Sequence, residues 1–89
     1  MPFHLRGTLT VPEEKRHEVR EALGEHVRLT REEPGCLSFE VAEAEPGVFE
    51  VAESFRDAAA FEAHQKRMFH SDWAVRTEGM ARNYETWSD

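Results

Sequence analysis

At 89 residues and a net charge of −7, the chain has room for one domain and lacks the basic footprint that nucleic acid or an anionic membrane surface requires. Charged residues make up 33% and hydrophobic ones 39%, with apolar positions patterned along the chain, which excludes disorder. No apolar run approaches the roughly 20 residues of a membrane span and the N-terminus carries no signal-peptide core, so a cytoplasmic location is expected.

Residues 3–11 alternate: Phe3, Leu5, Gly7, Leu9 and Val11 fall on one face, His4, Arg6, Thr8 and Thr10 on the other. This period of two predicts a half-buried strand. Pro12 suits the first turn of a helix, and Glu13 and Glu14 sit well near its positive end. Val19, Ala22, Leu23, His26, Val27 and Thr30 then share one arc, with Arg20, Glu21, Gly24, Glu25 and Arg28 opposite, so the segment reads as an amphipathic helix. Pro34-Gly35 stops it. Residues 36–44 form a second expected strand with Leu37, Phe39 and Val41 inward. The short Glu45-Pro46-Gly47 turn leads into a third strand over 48–55, with Phe49, Val51 and Phe55 on one side, hence an antiparallel hairpin.

Ser54 or Asp57 can cap the next helix, whose inward positions include Ala60, Phe61 and His64. Another helical piece begins near Ser71, carries Trp73 and ends near Gly79, and residues 81–87 close the order as a fourth strand. The sequence βαββαβ predicts a ferredoxin-like α+β fold, one domain over residues 1–89, with a four-stranded antiparallel sheet. Helices can cover only one sheet face. The other carries Arg6, Thr8, Ser38, Glu40, Glu50, Ala52, Asn83 and Glu85, readable as a solvated surface or as a mixed polar dimer interface.

Two stretches carry a resemblance: Glu33-Pro34-Gly35-Cys36 running into residues 37–41, and residues 49–57 with their aromatic–x–x–x–Glu–x–aromatic spacing. Ala60 to His64 adds an A-x-x-x-H helix. Together they resemble the antibiotic biosynthesis monooxygenase (ABM) family over nearly the whole chain. The resemblance implies a dimeric α+β barrel, a homodimer whose two sheets pack together, with a pocket in each subunit between sheet and helices. It also implies oxidation of quinols or phenolic, polyketide-type aromatics by dioxygen without flavin or metal. An electron-rich phenol can itself reduce oxygen once deprotonated, so the protein needs an apolar cavity, a base and a donor for developing oxyanion charge.

His64 is the candidate base, since an imidazole titrates near neutral pH; the competing reading is a histidine held by backbone for structural reasons. Trp73, Tyr84 and Asn83 are candidates to line the cavity, and His26 to point into it, against ordinary core packing for each. Trp87 and Asn83 are also candidates for the dimer interface, and His4, His17 and His70 are expected to be exposed. Haem-degrading members rely on an Asn–Trp–His set. Here His64 stands where their helix tryptophan aligns, Ala74 near their histidine, and the first strand has no asparagine, which argues against haem chemistry.

Cys36 is the only cysteine, so an internal disulfide and the paired-cysteine loop of metal chaperones are excluded. No H-x-x-x-H pair suggests a metal site, and the five glycines are too scattered to cradle a phosphate, so no cofactor is expected. An RNA-recognition module of the same topology needs a basic aromatic third strand, whereas residues 48–55 hold two glutamates and no basic residue. Two readings remain: a cofactor-independent monooxygenase, and a non-catalytic dimeric domain that binds a small aromatic ligand or serves a stress-related role.

Overall fold

The alternating first segment becomes β1 (Phe3–Thr10), an inner strand of a four-stranded sheet, in a computed structural model that describes residues 1–89. The remaining strands are β2 (Cys36–Glu45), β3 (Val48–Phe55) and β4 (Ala81–Ser88). Their order is β2-β3-β1-β4 and every pairing is antiparallel, the ferredoxin-like α+β arrangement. The helices are α1 (Arg16–Arg31), α2 (Ala58–Phe69) and α3 (Asp72–Arg76). Pro12 opens a single 3₁₀ turn over Glu13–Lys15 before α1 rather than the α-helix itself.

Register assigns the faces. Leu5 pairs with Glu53, Leu9 with Phe49, and Phe39 with Glu53, so these side chains share the face beneath the helices. Leu9, Val11 and Phe49 pack there with Val19 of α1 and Trp73 of α3 as the main core cluster. Phe39, Phe49 and Phe55 are fully buried, each contributing roughly 2–3 kcal/mol of transfer free energy. Leu37, expected inward, is 59% exposed. Cys36 pairs with Phe55 and Ser38 with Ser54, which leaves Leu37 as the extra residue of a β-bulge and restores Phe39 to the inner face.

The other face holds Arg6, Thr8, Glu40, Glu50, Ala52, Asn83 and Glu85 in cross-strand register, as the alternation predicts. No helix covers it. His4, expected to be exposed, is half-buried there: its Nδ1 hydrogen-bonds Ser54 Oγ at 2.7 Å, its Nε2 lies 3.1 Å from Asp89 Oδ1, and Trp87 packs on the ring. Every residue of β4 is exposed, Trp87 at 43% and Tyr84 at 37%. No helix in the chain is long and apolar enough to cross a membrane.

An edge strand with both faces uncovered and a large exposed indole is a surface that a second subunit would bury. The expected outcome in sedimentation at micromolar concentration is a homodimer. Removal of residues 81–87 should abolish both dimer and fold, because β1 then loses one of its two neighbours. A stable monomer of the full chain contradicts this.

Candidate functional site

The site is built where α1 ends, α2 begins and β3 passes beneath. Val19, His26 and Thr30 are the buried positions of α1, spaced along one stripe. Beyond α1, the Glu33-Pro34-Gly35 turn tucks against α2. A Cβ on Gly35 would collide with the Cβ of Ala60, and the Arg56 backbone N–H donates to the Gly35 carbonyl at 2.8 Å. Asp57 caps α2, its Oδ1 accepting from the Ala60 N–H at 2.8 Å. This fixed start sets the helix rotation and turns His64 inward, where it is 1% exposed.

His64 meets Glu33 at once: Nδ1 lies 3.0 and 3.2 Å from the two carboxylate oxygens. One turn of α2 further, Arg67 Nε donates to Glu33 Oε2 and its Nη2 donates to Thr30 Oγ1 at 3.0 Å. The Thr30 hydroxyl in turn donates to the His26 carbonyl at 2.8 Å, tying the ensemble to α1. A carboxylate can only accept, so Nδ1 carries the ring proton. The neutral ring then presents its Nε2 lone pair to the interior. Nε2 has no hydrogen-bond partner. It stands 3.8 Å from Glu53 Oε1, too far for a direct hydrogen bond.

Glu53 occupies the inner row of β3 between Val51 and Phe55 and is 8% exposed, with Oε1 also unpartnered. Burial, and then the nearby Glu33 charge, pushes its carboxyl up to about 7. Burial also lowers the His64 imidazole, against the opposing pull of the Glu33 charge and hydrogen bond. Both shifts favour an acid beside a neutral ring rather than an ion pair. His26 stacks on Trp73 with centroids 4.7 Å apart and planes 1° from parallel, and meets the Phe39 edge at 5.3 Å. Its Nδ1 is buried without a partner, and burial, helped by His64 and Arg67, drives its pKa down to about 3. Phe55 and Phe39 pack on the His64 ring with centroids at 5.0 and 5.8 Å.

Three of the five side chains singled out in the sequence thus share this interior: His64, His26 and Trp73. Tyr84 pairs with Gly7 on the helix-side face, but at the open edge of the sheet, where it is 37% exposed. Asn83 is not among them either. It pairs with Thr8 on the uncovered face, away from this interior. His17 and His70 are exposed as expected. Sequence reasoning passed over Glu33, Glu53 and Arg67. The signal for Glu53 was present, as an acid at an inward position of an alternating strand; Glu33 read only as part of a turn. A cleft of about 310 Å³ reaches His64 from outside, bordered by Glu33, Gly35, Arg56, Ala60 and Arg67. No set of three or more His, Cys, Asp or Glu side chains has the geometry to hold a metal ion.

The fold recurs in solved structures. Rv0793 from Mycobacterium tuberculosis superposes with a TM-score of 0.86 at 18% identity, covering 100% of this chain and 95% of its own. A Nitrosomonas europaea protein named as a candidate antibiotic biosynthesis monooxygenase gives 0.84 at 18% identity, over 99% and 89%. SO0527 from Shewanella oneidensis gives 0.75 at 26% identity, over 97% and 88%. No curated protein matches the chain. The family model for antibiotic biosynthesis monooxygenase matches residues 2–76, which contain all of this interior. The chain therefore belongs to the antibiotic biosynthesis monooxygenase family.

Proposed function

We propose that the protein is a cofactor-independent monooxygenase that oxidises a quinol or phenolic aromatic with dioxygen, His64 acting as base. The observation that supports this most is the buried imidazole whose Nδ1 is held by Glu33 and whose Nε2 is left as a free acceptor among aromatic rings. Glu33 is a positioning residue: it fixes the tautomer and stabilises the imidazolium that forms when Nε2 takes a proton. Arg67 holds Glu33 in place through a charge-assisted hydrogen bond.

The chemistry balances without a further reductant. A hydroquinone that loses its phenolic proton to His64 becomes electron-rich enough to pass an electron to dioxygen. Recombination of the two radicals forms a carbon–oxygen bond. Cleavage of the oxygen–oxygen bond leaves one oxygen atom on the ring as a hydroxyquinone and releases the other as water. The substrate supplies all four electrons. Phe39 and Phe55 make the surroundings of the His64 ring apolar, with His26 stacked on Trp73 beside them.

Oxygen uptake with a panel of hydroquinones tests the reading. Uptake above the uncatalysed rate supports it. Tight binding of an aromatic with no uptake across the panel favours the non-catalytic ligand-binding alternative.

A further inference from the structure

Three buried polar atoms in the interior have no hydrogen-bond partner: His64 Nε2, Glu53 Oε1 and His26 Nδ1. Buried polar atoms are nearly always satisfied, so an unpaired set at one place calls for a further polar atom, from a trapped water or from a ligand. Two of the three face each other across 3.8 Å. That span is too long for a bond between them, yet one oxygen atom at about 2.8 Å from each can bridge it.

We infer that Glu53 and His64 together read a single aromatic hydroxyl, Glu53 donating its acid proton to the hydroxyl oxygen while that hydroxyl donates to His64 Nε2. The donor and acceptor tally is complementary. A phenol has one O–H to give and lone pairs to receive, His64 Nε2 only accepts, and a protonated carboxyl donates. Glu53 is kept in that protonated form by its burial in β3, with Glu33, Cys36, Tyr84, His26 and Arg67 the titratable or charged groups packed around the pair. A hydroxyl held in this way has its proton aimed at the base, and the oxyanion that follows is stabilised by Glu53. An ether or unsubstituted ring would leave both buried atoms unpaired, so the pair selects for a free hydroxyl.

The inference rests on the reading of this interior as an aromatic pocket, but not on turnover. It is tested by fluorine NMR titration of the full chain with para-fluorophenol and with its methyl ether, para-fluoroanisole. The phenol should bind about 10–100-fold more tightly. Its binding should weaken as pH rises through about 7, where Glu53 loses its donor, although a phenol with a pKa of about 10 stays protonated. In Glu53→Gln the amide still donates, so the preference should persist and the pH dependence disappear. In Glu53→Leu the preference should be lost; should that variant not fold, the Gln variant and its pH profile decide. Equal binding of phenol and ether by the wild type overturns the inference, as does a pH dependence that survives in Glu53→Gln. Selective binding without oxygen uptake would uphold it while sinking the oxygenase reading; uptake without selectivity would do the reverse.

Discussion

His64→Ala should retain the fold while lowering quinol oxidation by about 10²-fold or more, the usual worth of a general base. The loss should shrink at high pH, where the substrate ionises unaided. Removing an imidazole that is 1% exposed leaves a cavity and strips Glu33 of one of its two partners, so the fold must be checked by circular dichroism alongside the rate. Glu33→Gln is the finer instrument. An amide can hold the ring in either tautomer and gives no charge to the imidazolium, so the rate should fall while KM changes little. An unchanged rate in a folded His64→Ala protein would make the residue structural.

The second large effect concerns stability. Glu53 has its carboxyl raised from 4.5 to about 7, so the folded state holds that proton more tightly than the unfolded chain does. Its favourable contribution is complete below about pH 4.5 and is lost as pH rises through about 7, on the order of 3 kcal/mol in all. His26 has the opposite sign. Lowered from 6.5 to about 3, it contributes fully above about pH 6.5, and that contribution, on the order of 5 kcal/mol, is lost as pH falls toward 3. Between about pH 4.5 and 6.5 the two slopes oppose each other, and the wild type should show little change from this pair there.

Glu53→Gln removes one slope. Urea unfolding should then show a variant more stable than wild type above about pH 7, whose stability declines from about pH 6.5 downward under the His26 slope. His26→Phe should do the converse, easing the acid decline while keeping an aromatic ring on Trp73. A Glu53→Gln effect that is equal at every pH would show that Glu53 does not titrate differently in the fold.

Much of this was legible in the residues. Alternation over 3–11 and 48–55 produced β1 and β3, and the spacing of Val19, His26 and Thr30 gave the buried stripe of α1. What escaped was set by geometry that a one-dimensional pattern does not carry. Leu37 broke parity because a bulge adds a residue that no composition signals. Asn83 and Tyr84 were both assigned to the cavity although neighbours in a strand must point to opposite faces; the period-two rule alone separates them. Glu33 lies 31 positions from His64 and becomes its partner only because Gly35 lets the turn close on α2. His4 was expected in solvent and is instead fastened between Ser54 and Asp89, one on β3 and one beyond β4.

The central claim is oxygenation, and turnover of a hydroquinone under isotopically labelled dioxygen tests it most directly. After dialysis against a chelator, the protein should convert the hydroquinone to a hydroxyquinone bearing one labelled oxygen, with the other recovered in water and little hydrogen peroxide. Unlabelled quinone with one hydrogen peroxide per turnover, or no conversion beyond the uncatalysed rate, would contradict it.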